Sequence, residues 1–304
     1  MRRSVEALVR DLDSPNPRVR ETAAHALGTL GIGARGVVPA LIERLADENG
    51  FVRDEAWRSL IKLGKPAARA LAECLGDKNR RTRYMAAEAL AMIGPSAVPV
   101  LTKQLQGKDP LVWTMAAWSL GRMGKEARGG VRALVQRLSD EDAQVRDAVL
   151  GALANIGAPA VAALTAELRA RNPVVRRLAA TALGQIAAAA AAPELAQQLE
   201  AARAPLALRQ ASCARVVAAL LARLSDEDEG VRTAAAKALG KVGAPAVEPL
   251  ITRLQHPEAL IRKHAAQALS SMGEVAALAV PALVQCLEDL DDSVREEAAL
   301  ALDT

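Results

Sequence analysis

The sequence predicts an all-α solenoid of about ten helical hairpins stacked in a row, and three observations carry that prediction. The phrase Val-Arg-x-x-Ala-Ala-x-Ala-Leu-Gly recurs as VRETAAHALG from Val19, VRRLAATALG from Val175 and VRTAAAKALG from Val231, with degenerate copies between. Its arginine falls at Arg20, Arg53, Arg83, Arg146, Arg176, Arg209, Arg232, Arg262 and Arg295, with Trp113 in the slot between Arg83 and Arg146. All but one of the intervals are 30 or 33 residues. Finally, 51% of the 304 residues are hydrophobic but only 2% aromatic, so the core must be built from Ala, Leu, Val and Ile, which suits short, close-packed helices.

The recurring phrase is helical by its Ala and Leu content and its apolar spacing, and the Gly that follows is a natural stop. Between two such phrases lies a second apolar segment, as in APAVEPLITRLQHPE from Ala244 or KPAARALAECLGDKN from Lys65. Pro sits in its first turn, where a missing N–H costs nothing. Apolar residues then recur three and four apart until an Asp, Asn or Pro turn ends the segment. Each repeat is therefore predicted to be a hairpin of two helices.

The pattern of Leu-x-x-x-Leu, an Asp/Asn turn and Val-Arg-x-x-Ala resembles the HEAT-repeat superfamily, in particular the short bacterial HEAT-like repeats also found in phycobilisome lyases. The resemblance covers nearly the whole chain. It implies a right-handed α-solenoid with the first helix of each hairpin on the convex side and the Val-Arg helix lining the concave side. It also implies a structural ladder of arginines paired with turn acids, with Asp47, Asp77, Asp142 and Asp228 placed for Arg53, Arg83, Arg146 and Arg232. The fixed positions of the Val-Arg helix face the stack. That leaves exposed the residue two before the marker and those one, two, five and nine after it.

Those slots hold the functional signal. All five aromatics, Phe51, Trp57, Tyr84, Trp113 and Trp118, lie between residues 51 and 118. Phe51, Tyr84 and Trp118 occupy exposed slots, Trp113 replaces a ladder arginine, and Trp57, in an Ala slot, is expected to be buried. Met85, Met92, Leu111 and Met115 join them in repeats three and four, with Glu55, Arg58, Lys62, Glu88 and Arg122 as a polar rim. Aromatic, Met and Arg enrichment is characteristic of binding-site cores, and the expected ligand is a peptide or amphipathic helix of a partner protein. Packing demand alone is the competing explanation, but it does not account for Trp118 in a slot that elsewhere holds His25, Arg58, Glu88, Lys237 or Gln267.

Farther along, the same slots carry Arg177, Lys237, Lys241, Lys263 and His264, a secondary basic strip suited to an acidic segment or phosphates. No aromatics interleave it for base stacking, which disfavours nucleic acid. Net charge says little, since 39 Lys and Arg stand against 35 Asp and Glu. One interval breaks the repeat: Arg209 to Arg232 is 23 residues, read as a ten-residue deletion that leaves repeat seven defective. The expected organisation is thus repeats one to six over 1–187, an irregular junction over 188–224, and repeats eight to ten over 225–304. The junction would fuse Leu206 to Leu224 into one long helix or leave a stub.

Catalytic signals are sparse. His25, His256 and His264 are scattered, with no HExxH, no phosphate-binding GxxxxGK[ST] and no GxSxG. Deoxyhypusine hydroxylase, a HEAT-repeat enzyme, binds iron through His-Glu pairs, and none is present. HEAT-like alkylpurine DNA glycosylases combine concave tryptophans with a carboxylate, which Trp113, Trp118, Glu55 and Glu88 superficially imitate. A bilin-lyase-like hold on a tetrapyrrole rests on repeat resemblance alone. Cys74, Cys213 and Cys286 are far apart, without zinc or disulfide spacing; Cys74 and Cys286 share a slot before a core Leu and read as packing. The N-terminal MRRSVEALVRDLD runs into an amphipathic helix rather than a signal peptide, and the alanines 187–192 are too short to span a bilayer. The reading is a cytoplasmic, non-catalytic scaffold with a protein or peptide partner, no cofactor, no metal and no membrane.

Overall fold

The computed structural model describes residues 4–31, 36–191 and 206–303, and among these it contains helices and turns but no strand. The chain is an all-α solenoid, and within each of its two units the helices alternate between the two members of a hairpin. The first helices of the hairpins are α1 (Val5–Asp11), α3 (Val37–Glu43), α5 (Lys65–Glu73), α7 (Val98–Gln104), α9 (Val131–Gln136), α11 (Val161–Glu167), α13 (Leu206–Leu221), α15 (Ala244–Leu254) and α17 (Val280–Cys286). The Val-Arg helices are α2 (Pro17–Leu30), α4 (Gly50–Leu63), α6 (Arg80–Ile93), α8 (Pro110–Met123), α10 (Ala143–Ile156), α12 (Pro173–Ala191), α14 (Glu229–Val242), α16 (Ala259–Ser270) and α18 (Asp292–Leu302). Two compact units divide the chain, Met1–Ile156 and Gly157–Thr304.

The boundaries follow from caps. Asn16, Asn49, Asn79 and Asp109 accept backbone N–H bonds at the starts of α2, α4, α6 and α8, and Asp228 does so for α14. At the other end, Gly64, Gly94, Gly124, Gly157 and Gly243 take positive φ, a conformation that stops the helix and turns the chain into the next hairpin. Arg80–Gln104 is apolar enough in composition for a membrane span, but Gly94, with φ 74°, breaks it into α6 and the start of the next hairpin. Within each unit the core runs between the two members of the hairpins: Leu41, Leu45, Leu60, Leu71, Leu75, Leu90 and Leu120 in the first unit, and Leu164, Leu220, Leu239 and Leu250 in the second, are all fully buried. Adjacent Val-Arg helices approach so closely that serines bridge them: Ser59 Oγ donates to the Ala24 carbonyl at 2.8 Å and Ser119 Oγ to that of Ala87 at 3.0 Å.

The arginine ladder exists, but not with the partners the spacing suggested. Arg53 donates to the backbone carbonyls of Asp47 and Glu48 at 2.7 and 2.9 Å, and Arg83, Arg146 and Arg232 treat the turns before them in the same way. The carboxylates point elsewhere. Asp47 receives a two-pronged bond from Arg20 of the preceding hairpin, at 2.9 and 2.8 Å, and Asp289 receives one from Arg262. Asp77, Asp142 and Asp228 instead accept backbone N–H bonds of Asn79, Gln144 and Val231. A planar guanidinium has two usable edges: one closes its own turn and the other is free to reach the next.

The expected seventh Val-Arg helix does not form. The stretch containing Arg209, whose side chain lies outside the described residues, belongs to α13, a single helix that packs among the first helices beside α11 and α15. Meanwhile α12 packs directly on α14. The ladder registers the change: Arg176 bonds Asp226 at 2.7 Å across 50 residues, where Arg20 and Asp47 are separated by 27. The irregularity is therefore an insertion between two consecutive Val-Arg helices rather than a deletion, and the described residues form nine hairpins. The sequence cause is local. Ala187 stands in the slot where the other Val-Arg helices have their stopping Gly, so α12 runs for 19 residues instead of 14. The last of the six alanines, Ala192, lies outside the described residues.

Candidate partner-binding face

The exposed edges of α4, α6 and α8 carry the aromatic patch. Tyr84 on α6 and Trp118 on α8 meet with ring centroids 5.4 Å apart and planes tilted by 47°, an arrangement favoured by aromatic quadrupoles. Arg122, one turn beyond Trp118, lies 5.6 Å from that indole and holds Glu88 of α6 at 2.9 Å. The four side chains thus form one cross-helix cluster, with Tyr84 and Arg122 exposed and Trp118 half-buried. Phe51 is 72% exposed and Met92 58%, and Leu111 is also exposed. Large apolar side chains in slots that several other repeats fill with charged or polar residues are the feature to be explained.

Several predicted members sit otherwise. Trp113 is half-buried beneath the Arg137 guanidinium, 3.7 Å from its ring centre, and its indole nitrogen is buried without a partner. Arg137, from the turn after α9, also donates to the carbonyls of Leu105 and Gly107. It thereby closes the turn that a marker arginine in place of Trp113 would have closed. Arg137 fills a slot nine residues before a marker that also holds Arg44, Arg223 and Arg253, and Arg44 makes the equivalent bond to the Leu12 carbonyl, so the recurrence of that arginine was the available signal. Met85 and Met115 are half-buried, and Trp57, expected inside, is half-buried too.

Glu55 is not a rim residue. It is 8% exposed and accepts from His25 Nδ1 at 2.8 Å and from Arg58 at 3.4 Å, so it ties α2 to α4. Arg58 itself is exposed, as expected for the rim. In the second unit His264 also departs from expectation. It is 4% exposed and hydrogen-bonded to the Leu260 carbonyl at 2.7 Å; burial holds its pKa below the usual value, with Arg232 and Lys263 nearby adding to the effect. The thiols behave as packing groups: Cys286 is buried, and burial pushes the Cys74 pKa up to about 11.

A sequence profile described as HEAT repeats matches residues 5–91, 68–128, 131–215, 201–250 and 217–303. The chain belongs to the HEAT-repeat family. No curated protein matches the sequence. Among solved structures, this HEAT-repeat chain is similar to Kap121p, with a TM-score of 0.53 and 16% identity over 98% of this chain and 37% of that one. A Kap95:Nup1 complex matches with a TM-score of 0.48 and 14% identity, over 98% of this chain and 50% of the other. The chain therefore spans between about a third and half of those proteins, and at such identities the likeness concerns the fold.

In the second unit of this HEAT-repeat protein, α12 and α14 enclose a groove of about 580 Å³ lined by Arg177, Thr181, Gly184, Glu229, Gly230, Thr233, Ala234, Lys237, Ala238 and Lys241. Three of the four predicted strip cations line it, and Lys263, on α16, does not. Among the described residues no group of three or more His, Cys, Asp or Glu is arranged to hold a metal ion.

Proposed function

We propose that this HEAT-repeat chain is a non-catalytic protein-interaction scaffold that holds a peptide or amphipathic helix of a partner protein on the exposed edges of α4, α6 and α8. The observation that carries this reading is the Tyr84–Trp118 contact. Two aromatic rings from neighbouring helices are preassembled and partly open to solvent, with Arg122 and Glu88 beside them. Rigid aromatic anchors ringed by polar groups supply binding energy at low entropic cost. Phe51, Met92 and Leu111 extend the apolar surface along the same helix faces, and half-buried Met85 and Met115 give it an adaptable floor.

The non-catalytic part of the reading is supported by what the candidate groups already do. His25 is engaged by Glu55, His256 Nδ1 accepts the Glu258 N–H at 3.2 Å, and His264 is buried against Leu260. A glycosylase-like pairing of tryptophan with a carboxylate finds Trp113 covered by Arg137, Glu55 occupied, and Glu88 bonded to Arg122.

Selection of peptides from a random library on the wild-type protein, followed by affinity measurement on Trp118→Ala, tests the proposal. Selected peptides should carry aromatic, Leu or Met anchors and lose about 2 kcal/mol, roughly thirtyfold, on the variant, while its thermal unfolding stays close to wild type. Selected peptides that bind Trp118→Ala and Tyr84→Ala with unchanged affinity would overturn it.

A further inference from the structure

The groove between α12 and α14 has a built character that the strip of charges alone did not reveal. Much of its lining is small: Gly184, Gly230, Ala234 and Ala238, with Thr181 and Thr233. Side chains this short let a bound main chain come close. At one point the helices nearly touch: a Cβ on Gly184 would lie 2.8 Å from the Ala238 Cα. Around the groove stand the exposed Arg177 from α12 and Lys237 and Lys241 from α14, and among the described residues none of the three is engaged in an ion pair. The neighbouring ladder arginines, by contrast, are consumed: Arg176 by Asp226 and Glu227, and Arg232 by the carbonyls of Asp226 and Glu227. Three cations outside any ion pair converge on one concavity, and the only carboxylate among its lining residues is Glu229.

Charge is also distributed along the groove. Arg177 lies over Gly230 beside the Asp228 carboxylate, and Glu229 lines the same groove, so that end is partly neutralised. Lys237 and Lys241, one helical turn apart on the same face, leave the other end positive, with the Lys241 stem packed beside Gly184. From Gly230 to Lys241 the α14 face runs about 16 Å, the span of roughly five extended residues.

We infer that this groove is a second docking site, distinct from the aromatic patch and independent of it, for a short extended acidic segment of a partner protein whose carboxylates reach Lys237 and Lys241. An extended chain places alternate side chains on one side about 7 Å apart, which matches two lysines a turn apart. Nucleic acid fits less well. A strand's evenly repeated phosphates would meet Glu229, and no aromatic side chain exists anywhere beyond Trp118 on which a base could stack.

The test is fluorescence anisotropy on the full chain with a fluorescein-labelled peptide of alternating Glu and Ser, its Gln-for-Glu counterpart, and a single-stranded oligothymidylate of matching length. The Glu peptide should bind, and the Gln peptide should not. Lys237→Gln/Lys241→Gln should weaken the Glu peptide roughly tenfold with thermal unfolding unchanged. Lys237→Arg/Lys241→Arg should retain binding, and Lys263→Gln, outside the groove, should have no effect. Undetectable binding of the Glu peptide, equal binding of the Gln peptide, or insensitivity to the double Gln substitution would overturn the inference. So would an equal loss in Lys263→Gln, which would mean a diffuse field, or tighter binding of the oligothymidylate, which would make the groove a nucleic-acid site.

Discussion

The Arg137 guanidinium lies 3.7 Å above the centre of the Trp113 ring while donating to the Leu105 and Gly107 carbonyls. One residue thus covers the place where, among the described Val-Arg helices, Trp113 interrupts the arginine ladder, and it does so from the following hairpin. Removing it exposes an indole face and leaves two turn carbonyls without their charged donor. Arg137→Ala should cost about 2 kcal/mol, from lost charge-assisted hydrogen bonds and a cation–π contact. In a Trp113→Arg background, where the ladder donor is restored, the same change should cost less by about 1 kcal/mol. Urea unfolding of the double-mutant cycle measures the coupling.

The Arg176–Asp226 pair joins α12 to the turn before α14 across the insertion, with both side chains almost fully buried. Asp226→Ala takes the buried carboxylate from the Arg176 guanidinium, leaving it only the solvent-exposed Glu227 carboxylate, and should destabilise by about 3 kcal/mol. The loss should appear first as faster hydrogen exchange in α14, since contacts in a repeat array are between neighbours. Asp292→Asn, which breaks the solvated pair with Arg295, should leave the unfolding curve unchanged.

Two helical glycines should respond with opposite signs. A Cβ at Gly184 would collide with backbone, so Gly184→Ala must push α12 from α14 and should cost about 1–3 kcal/mol. Gly151 in α10 has open space where its Cβ would go, and Gly151→Ala should stabilise by about 0.5–1 kcal/mol through helix propensity alone. Thermal or urea denaturation of both variants decides it.

Acid should lower the stability of the protein over two pH ranges. Burial holds the His264 pKa down, so the unfolded state binds the proton more readily. The stability this contributes is complete above about pH 6.5 and is lost as pH falls from there toward the folded value. The Arg262 fork holds Asp289 below the ordinary carboxylate value. For Asp47, burial alone would raise the pKa, but the bonds from Arg20 and the Asn49 N–H outweigh it. Their contribution is complete above about pH 4 and is lost as pH falls below that. Melting temperature against pH should show both limbs, with His264→Gln removing the upper one and Arg20→Met with Arg262→Met flattening the lower.

Much of the fold was legible because a repeat states its rules many times. The Val-Arg phrase located every Val-Arg helix seen, and a Gly follows α2, α4, α6, α8, α10 and α14 where the repeat places it; the run-on of α12, where Ala187 stands in that slot, was not foreseen. The exposure of Phe51, Tyr84, Met92 and Leu111 followed from their slots. Glu55 and His264 did not follow, because a slot fixes only direction, and a polar side chain still folds back when a partner is within reach, His25 on the neighbouring helix for Glu55 and the Leu260 carbonyl of its own helix for His264.

By itself, the sequence determined the helical hairpin, its caps, its apolar stripe and the clustering of aromatics, all of which are local or periodic. Only tertiary structure decided which arginine meets which acid, that Arg137 shelters Trp113, that Tyr84 touches Trp118, and that the irregular interval is an insertion placing α12 directly on α14. Each of these depends on contact between elements roughly 25 to 50 residues apart. Spacing along a chain fixes the face on which a side chain lies, but the register between stacked helices is set by packing, here by glycines and serines that let neighbouring backbones close to contact.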